Sequence, residues 1–382
     1  MEYRCILHNA TDTYANLHLF KISSNNFESY NKLSMIILLK YEQSDNLMSN
    51  ESIRITVVGS GKMGSFHARL LSRMGFLDSI VEPNAQTSKK VGSQFKVPCF
   101  PSITELAEER KPNGAIIAVP TKIHADVALE AVSLLPSLKG LLIEKPVATS
   151  VKQALDLKSK LQGKEIKTII GHVEVFNPVI SRIIEILNKK DIGKPRSVLF
   201  QRRGAVAETR LESIGDVYED IGVHDFDVAM RLFPRGKLEL FASALTVNNL
   251  GNSSIIVLTS KDKDFIVTFL MSREYAGKLR TIDIEGTKGT LCANLLTQIL
   301  ELRSLEIARG EKDASAIRIP FSNGEQIKVY GEPLLSEMWN LVDCIRGDGK
   351  PLVTIDDGIN ALKLVEAARK GIRTGKVIEL EV

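Results

Sequence analysis

A glycine-rich turn between an apolar run and an amphipathic segment constrains the fold of this chain more than any other feature. The apolar run IRITVV occupies residues 53–58, and the turn GSGKMG that follows contains Gly59, Gly61 and Gly64. The next segment repeats apolar residues at spacings of three and four, which is typical of an amphipathic helix. A strand, a GxGxxG turn and a helix in this order predict the phosphate-binding turn of a dinucleotide-binding βαβ unit.

Each glycine of such a turn has a physical role. Gly59 ends the strand, Gly61 lets the backbone approach a pyrophosphate, and Gly64 lets the helix pack closely against the strand. The helix begins near Lys62 and Met63, and it directs its free N–H groups and positive dipole end at the phosphates. We therefore predict that these five residues bind the dinucleotide.

An acidic residue at the end of the second strand indicates which dinucleotide is bound. The ribose hydroxyls of the adenosine half need a carboxylate about 20 residues beyond the motif, and Glu82 stands there. Its charge would repel a 2′-phosphate, so NAD is favoured over NADP as the cofactor. Lys89 and Lys90 keep NADP as the less favoured alternative.

The rest of the chain divides into two parts that differ in their pattern of predicted strands and helices. Up to about residue 175, apolar runs alternate with helix-period segments, which is typical of parallel strands joined by crossover helices. From residue 176, strands follow one another with turns between them, as in an antiparallel sheet. We predict an α/β fold, with an N-terminal Rossmann domain (a doubly wound parallel sheet) over residues 51–175 and a substrate-binding and oligomerisation α+β domain with a mainly antiparallel sheet over 176–382.

The boundaries of individual elements follow from the same periodicities. Strands after the first are predicted at 78–84, 97–100, 114–121, 140–146 and 166–175, and helices at 102–109, 178–189, 223–233, 333–346 and 357–373.

The first 50 residues differ from the body of the chain. They are rich in Asn and Ser, lack a clean period, and carry acids such as Asp12 and Glu28 that a transit peptide would avoid. We expect residues 1–50 to be an appended extension. Either the extension is genuine and flexible, or translation starts at Met48, directly before the body of the chain.

Composition excludes several classes of protein. The 382 residues carry a formal net charge of +4, without a charge run of the kind that binds nucleic acid. The best apolar run, residues 35–39, is far shorter than the roughly 20 residues that cross a bilayer. The 4 cysteines form no CxxC pair. We therefore expect a cytoplasmic protein with reduced thiols and no metal site, nucleic acid or membrane among its partners.

Polar residues follow the fourth and fifth predicted strands, at the edge where open α/β sheets bind ligands. Pro120, Thr121 and His124 follow the fourth strand, and Glu144 and Lys145 directly follow the apolar residues of the fifth. We predict that all five contact the cofactor, and that Lys145 also reaches the reacting centre. For His124, a helix-capping or surface position is the alternative.

A third polar constellation is the segment YEDIGVHDFDVAMRLF, residues 218–233. Asp220 and His224 are four residues apart and would share one face of a helix, which Asp227 extends. A carboxylate and an imidazole in this arrangement suit a general base and its orienting partner. The alternative is a pair of acids at a helix N-terminus beside a core histidine.

From about residue 53 to its end, the chain resembles the family of glucose-fructose oxidoreductases and inositol dehydrogenases called Gfo/Idh/MocA. The resemblance rests on three motifs in order: the GxGxxG turn, the segment Glu144-Lys145-Pro146, and a D-x-x-x-H segment, here Asp220 to His224. It implies that Lys145, Asp220 and His224 form the catalytic set of a dehydrogenase that oxidises a CH–OH group. It also implies a homodimer or homotetramer.

The three catalytic candidates have distinct expected roles. His224 would take the proton of the substrate hydroxyl as general base, and Asp220 would orient its imidazole. Lys145 would donate a hydrogen bond to the same oxygen and stabilise the developing alkoxide charge.

Two further segments reduce the number of candidate substrates. Residues 171–180 and 273–298 resemble those of enzymes that oxidise the 3-hydroxyl of UDP-N-acetylglucosamine, although Val175 stands where those enzymes have Arg. We therefore expect a sugar-nucleotide substrate bound by Lys145, Asn177, Arg203 and His224. Arg202 and Arg210 could face a diphosphate or simply lie on the surface. Inositol or a free sugar is the alternative substrate, and a dinucleotide-binding sensor without turnover is the alternative class of protein.

Overall fold

The computed structural model describes residues 52–207, 215–233, 236–247, 250–260, 264–305 and 324–382. The predicted extension, residues 1–50, lies outside these ranges. The described chain forms two sheets with helices packed against both.

The first sheet is built from the apolar runs of residues 52–171. Its strands are β1 (Ile55–Val58), β2 (Leu77–Val81), β3 (Cys99–Phe100), β4 (Gly114–Ile117), β5 (Gly140–Glu144) and β6 (Lys167–Gly171). All pair in parallel in the order β3-β2-β1-β4-β5-β6, which is the Rossmann arrangement. This confirms the predicted fold of this half, with strands that are shorter than the sequence indicated.

The crossover helices cover both faces of this sheet. They are α1 (Lys62–Met74), α2 (Ala85–Phe95), α3 (Ile103–Glu109), α4 (His124–Leu134) and α5 (Val151–Leu161). Because helices cover both faces, β1, β4 and β5 are buried along their whole length and read as continuous apolar runs. Two short 3₁₀ helices, Thr121–Ile123 and Val173–Phe176, follow β4 and β6.

The second sheet occupies the remainder of the described chain. Its strands are β7 (Pro195–Gly204), β8 (Lys237–Val247), β9 (Leu250–Ser260), β10 (Ile266–Ser272), β11 (Lys278–Gly286), β12 (Gly289–Asn294), β13 (Ile299–Ser304), β14 (Glu325–Lys328) and β15 (Ile378–Glu381). The order is β14-β13-β12-β11-β7-β10-β9-β8-β15, and every pair except β10 with β7 is antiparallel. The prediction of a mainly antiparallel sheet is confirmed.

Helices pack on one face of this second sheet. They are α6 (Pro178–Lys189), a π-helical turn over Tyr218–Gly222, α7 (Val223–Leu232) and α9 (Ile355–Thr374). The helix α8 (Pro333–Arg346) packs instead against β4 and β5 of the first sheet. Strand residues alternate accordingly, so that Phe200 and Phe269 are buried on the helix side and Phe241 is exposed on the other. The sheet therefore has an inner face with a core and an open outer face.

The register of the parallel strands brings their carboxyl ends to one edge. Val58 pairs with Val81 and Ile117, and Ile117 pairs with Ile143. The residues that come next in each segment, which include the glycine turn, Glu82 and Lys145, therefore lie along the same edge. This is the edge at which open α/β sheets bind ligands.

Candidate active site

The glycine turn has the geometry that a bound dinucleotide requires. Gly59 has a φ of +92°, and a Cβ there would lie 2.7 Å from the carbonyl oxygen of Ala118. A Cβ on Gly64 would lie 1.9 Å from the carbonyl oxygen of Gly59. Both glycines are thus required by the packing of turn, strand and helix.

Gly61 is explained differently, and it provides the test of whether a cofactor fits. Its φ is −60°, and a Cβ built on it would meet no protein atom within 4 Å. Nothing in the described protein therefore demands a glycine there. An exposed, side-chain-free position at the start of α1, beside Lys62 and Met63, fits the close approach of a pyrophosphate to the backbone.

Glu82 lies just after β2, as the sequence predicted. Its Oε2 accepts hydrogen bonds from Ser60 Oγ at 2.6 Å and Ser60 N at 3.2 Å, and its Oε1 accepts one from Asn84 N at 3.0 Å. Burial alone would raise the pKa of Glu82, but these hydrogen bonds lower it overall. Glu82 is therefore a fixed anion beside the glycine turn, positioned as the ribose-binding acid should be.

Lys145 reaches from the end of β5 across to the second sheet. Its Nζ donates a hydrogen bond to the backbone carbonyl oxygen of Asp220 at 2.8 Å, and the peptide bond to Pro146 is cis. Burial lowers the pKa of Lys145, while the carboxylates of Asp220 and Glu144 oppose that shift. A lysine with a lowered pKa can exchange a proton more readily than a surface lysine can.

His224 lies at the start of α7, directly after the π-helical turn. Its Nδ1 is buried without a hydrogen-bond partner. Burial lowers the pKa of His224 well below its usual value, and the positive charge of Lys145 lowers it further, followed by those of Arg202, His172 and Arg280. The imidazole is therefore neutral near pH 7, which is the form that can accept a proton.

The π-helical turn changes the predicted relation between Asp220 and His224. In a π-helix the hydrogen bonds run from i to i+5, so residues four apart are not stacked as they are in an α-helix. The carboxylate of Asp220 lies 3.8 Å from the guanidinium of Arg273, and Nδ1 of His224 donates no hydrogen bond to it. Asp220 therefore does not orient the imidazole through Nδ1. Its expected role as the residue that orients His224 stays a prediction.

His172 is a site residue that the sequence analysis did not identify. It follows β6, is 1% exposed, and meets the ring of His224 edge to face with centroids 6.5 Å apart. Both of its ring nitrogens are buried without a hydrogen-bond partner, and burial lowers its pKa. Its position in the sequence could have identified it, because His172 follows a parallel strand and therefore lies at the same sheet edge as Lys145.

A buried network of ion pairs lies beside these histidines. Glu174 Oε1 lies 3.0 Å from Arg202 Nη1 and 2.9 Å from Arg280 Nη1, and Arg202 also pairs with Asp225 at 2.7 Å. Burial would raise the pKa of Glu174, but both guanidiniums lower it overall. Arg202 and Arg280 are direct partners on β7 and β11, so their positive charges lie side by side on the inner face.

Two residues predicted to bind the cofactor have internal partners instead. His124 is 1% exposed, and its Nδ1 and Nε2 each lie 2.8 Å from a backbone carbonyl oxygen, of Pro146 and Val119 respectively. Glu144 is buried, with Oε1 2.6 Å from His67 Nε2 and Oε2 accepting from Lys145 N at 3.2 Å. Both residues thus fix the segments around β4 and β5, whereas Pro120 and Thr121 stay partly or fully exposed at that edge.

Two of the residues that were predicted to bind the substrate lie away from the site or have other partners. Asn177 is 3% exposed and caps α6, with its side chain accepting from Val179 N and donating to the carbonyl oxygen of Leu295. Arg203 follows Arg202 on β7, so the strand alternation turns it to the outer face, where its guanidinium lies 4.4 Å from the ring centre of Tyr275. Arg202 is the arginine that faces the site, and Arg210 lies outside the described residues.

No group of three or more His, Cys, Asp or Glu side chains within the described ranges is arranged to hold a metal ion. None of the helices in the same ranges has both the length and the apolar character needed to span a bilayer.

Comparison with protein families agrees with this geometry. A model described as "Oxidoreductase family, NAD-binding Rossmann fold" matches residues 53–172, and one described as "Oxidoreductase family, C-terminal alpha/beta domain" matches residues 184–380. The chain belongs to the Gfo/Idh/MocA oxidoreductase family. It is an NAD-binding oxidoreductase, which confirms the cofactor and the enzyme class that the sequence indicated.

Individual members of the Gfo/Idh/MocA family resemble the chain at low identity. UDP-N-acetylglucosamine 3-dehydrogenase of Acidithiobacillus ferrooxidans is 28% identical over 47% of this chain and 54% of its own length. Myo-inositol 2-dehydrogenase of Thermotoga maritima is 21% identical over 86% of this chain and 99% of its own length. Both are dehydrogenases that act on CH–OH groups.

Solved structures of Gfo/Idh/MocA proteins share the fold. The A. ferrooxidans UDP-N-acetylglucosamine 3-dehydrogenase superimposes with a TM-score of 0.72 at 20% identity, covering 85% of this chain and 99% of that one. An Agrobacterium radiobacter oxidoreductase in complex with NAD⁺, L-tartaric acid and magnesium gives 0.73 at 16% identity, covering 86% and 98%. At these identities the likeness establishes the fold and leaves the substrate open.

Proposed function

We propose that the protein oxidises a secondary hydroxyl of a sugar nucleotide, the 3-hydroxyl of a UDP-N-acetylhexosamine. The single observation that carries the dehydrogenase chemistry is the convergence of Lys145, which follows β5, and His224, on α7, at the carboxyl edge of the Rossmann strands. NAD, when bound, supplies the acceptor for the hydride.

The residues of the chain supply the proton chemistry. His224 is neutral near pH 7, and because its Nδ1 is buried, Nε2 is the nitrogen that accepts the hydroxyl proton. Lys145 Nζ donates a hydrogen bond to the same oxygen and stabilises its developing negative charge. Asp220 contributes its backbone carbonyl, which holds Nζ in place, and its carboxylate, which favours the charged form of Lys145.

The charges around the site favour an anionic substrate. Arg280 lies on the inner face of β11, and its side chain remains 42% exposed while one guanidinium nitrogen binds Glu174. Burial and the adjacent Arg202 both lower the pKa of Arg280, while the carboxylates of Glu174 and Asp225 oppose that shift. A diphosphate can accept two parallel hydrogen bonds from a guanidinium that is still accessible.

A neutral polyol is the second candidate substrate. Inositol dehydrogenases are among the relatives that match over most of the chain, and Asn177, predicted to contact a sugar nucleotide, is occupied as a helix cap. A sensor without turnover would be expected to lack one of the catalytic groups, whereas both Lys145 and His224 are present and close to the cofactor edge.

Substrate oxidation is measured directly with purified protein. NAD and each member of a panel of UDP-sugars, inositols and free sugars are mixed with it, and the absorbance of reduced NAD is followed. We expect turnover with a UDP-N-acetylhexosamine and little with inositols. Turnover with an inositol alone would mean that the substrate is a neutral polyol and not a sugar nucleotide. Tight NAD binding without any turnover would indicate a dinucleotide-binding sensor.

We further propose that the protein is a homodimer or homotetramer formed through the open face of the second sheet. Large apolar side chains are exposed there on neighbouring strands: Phe241, Leu245, Ile255 and Ile266. Contiguous exposed apolar residues mark an interaction surface. Light scattering after gel filtration should find Leu245→Lys smaller than the parent, whereas Leu155→Lys on α5 should leave the mass unchanged; a monomeric parent would contradict the proposal.

The cytoplasmic location stays a prediction. It rests on the spacing of the cysteines, of which Cys99, Cys292 and Cys344 are free thiols within the described residues.

A further inference from the structure

The π-helical turn that precedes His224 is held from outside the site by one arginine. Arg369 on α9 donates from Nε to Asp216 Oδ2 and from Nη2 to Glu219 Oε2, both at 2.6 Å. Asp216 lies just before the turn, and Glu219 is its second residue. A planar guanidinium that bridges two acids fixes their separation as well as neutralising them.

The same acids organise the backbone of the turn. Asp216 uses its other oxygen, Oδ1, to accept hydrogen bonds from the backbone N–H groups of Tyr218 at 3.1 Å and Glu219 at 3.0 Å. Tyr218 is buried, and its hydroxyl donates to Ser254 Oγ at 2.8 Å. The start of the turn is therefore fixed to Arg369 on one side and to the second sheet on the other.

The turn leads directly to the catalytic groups. Glu219 is followed by Asp220, whose carbonyl oxygen accepts the hydrogen bond of Lys145 Nζ, and His224 is the second residue of α7. A shift of Glu219 therefore moves the acceptor that holds Lys145. Displacements of about 1 Å at a reacting centre can cost on the order of 100-fold in rate.

We propose that Arg369 is a positioning residue, whose bridge to Asp216 and Glu219 holds the π-helical turn in the conformation that aligns Lys145 and His224. Its side chain extends from α9 to the two acids, and its hydrogen bonds within the described residues go to Asp216 and Glu219 and not to Lys145 or His224. The catalytic part of this proposal rests on the proposed function. The structural part does not depend on any substrate.

Arg369→Met tests the bridge because it removes the charge and keeps most of the apolar stem. Hydrogen exchange, measured by mass spectrometry on the protein alone, should become on the order of tenfold faster in peptides covering residues 216–224 and stay unchanged in the Rossmann sheet. Arg373→Met is the matched control, since Arg373 is exposed one turn further along α9, and it should exchange like the parent.

Kinetics then separate positioning from general stability. With the substrate found in the panel, Arg369→Met should lower kcat about 10- to 100-fold, while the Kd of NAD remains within about twofold of the parent. Arg369→Lys should recover part of kcat, because one ion pair can re-form. Glu219→Gln keeps the contact between Arg369 and Asp216, so it should lower kcat by an intermediate amount. This variant replaces Arg369→Met in the test if Arg369→Met fails to fold.

The outcomes are distinguishable from failure of the proposed function. Parental exchange in residues 216–224 of both Arg369→Met and Glu219→Gln would overturn the bridge, whatever the substrate. Faster exchange with an unchanged kcat would overturn the positioning role. If no compound is turned over by the parent, the dehydrogenase proposal fails, and the exchange result alone decides whether Arg369 orders the turn.

Discussion

Lys145 Nζ donates a hydrogen bond to the backbone carbonyl oxygen of Asp220 at 2.8 Å, and this contact joins the Rossmann sheet to the turn that carries His224. The two residues are remote in sequence, since Lys145 follows β5 and Asp220 lies in the π-helical turn before α7. The contact places an ammonium group and an imidazole on one side of the cofactor edge. The catalytic account depends on this juxtaposition.

Removing the ammonium should abolish most turnover without loss of cofactor. In Lys145→Met, the developing alkoxide loses its hydrogen-bond donor, so kcat should fall about 10²- to 10³-fold. The Kd of NAD, measured by fluorescence titration, should change little, and Lys152→Met on α5 should behave as the parent. A kcat within a few fold of the parent would contradict the role of Lys145.

Glu82 should determine the preference for NAD over NADP. In Glu82→Ser the carboxylate that faces the ribose is lost, and with it the repulsion of a 2′-phosphate, so the ratio of kcat/KM for NAD to that for NADP should fall by about tenfold or more. Glu108→Gln on α3 is the control. An unchanged ratio would mean that another group selects the cofactor.

Arg280 should distinguish anionic from neutral substrates. Arg280→Met should raise the KM for a UDP-sugar about tenfold or more and leave the KM for any neutral polyol unchanged. Lys278→Met, on the same face of β11, is the matched control. Equal effects on both substrate classes would argue against an anion-binding role.

The same Arg280→Met variant should alter the pH dependence of the reaction. The positive charge of Arg280 is one of the causes that lower the pKa of His224. Without it, His224 holds its proton to higher pH, so the acid limb of the kcat/KM profile should move to higher pH. A shift to lower pH, or none, would indicate that His224 is not the base.

A buried acid behind the site predicts a pH-dependent stability. Glu337 on α8 is fully buried with both oxygens unpaired, and burial together with the nearby charge of Glu144 raises its pKa well above 4.5. Because the folded state binds this proton more tightly than the unfolded state, the contribution of Glu337 to stability is full below pH 4.5 and is lost as the pH rises towards the folded pKa.

Glu337→Gln isolates this contribution, since glutamine is neutral at every pH. Relative to the parent, the variant should gain stability as the pH rises from about 4.5, by up to about 1.4 kcal/mol per pH unit, as measured by urea unfolding at pH 5 and pH 8. The exposed Glu332→Gln, at the N-terminus of the same helix, should not. A difference that does not change with pH would mean that Glu337 is ionised in the folded state.

Much of the fold could be predicted from the sequence, because the sequence patterns that indicate it are local. The glycine turn, the apolar runs of β1, β4 and β5, and the acid at Glu82 each report a backbone or burial constraint that acts within a few residues. Strand ends were less accessible, and β4 is shorter than predicted because the apolar residues after Ile117 belong to a loop.

The site was less accessible because partners come from distant segments. The sequence near His124 does not reveal that carbonyl oxygens after β4 and β5 occupy its two nitrogens. Asn177, by contrast, stands directly before the predicted helix 178–189, where a helix cap is expected. The choice between Arg202 and Arg203 depends on which face of β7 is covered, and this is a tertiary property. The π-helical turn likewise removed the expected alignment of Asp220 with His224.

The most direct test of the central claim is the formation of reduced NAD by the parent and by Lys145→Met and His224→Asn, each mixed with NAD and a UDP-N-acetylhexosamine. We predict steady formation by the parent and a loss of at least about 100-fold in each variant, with NAD still bound by all three. Comparable rates in the parent and both variants would contradict the assignment of Lys145 and His224 as the groups that handle the substrate's proton and charge.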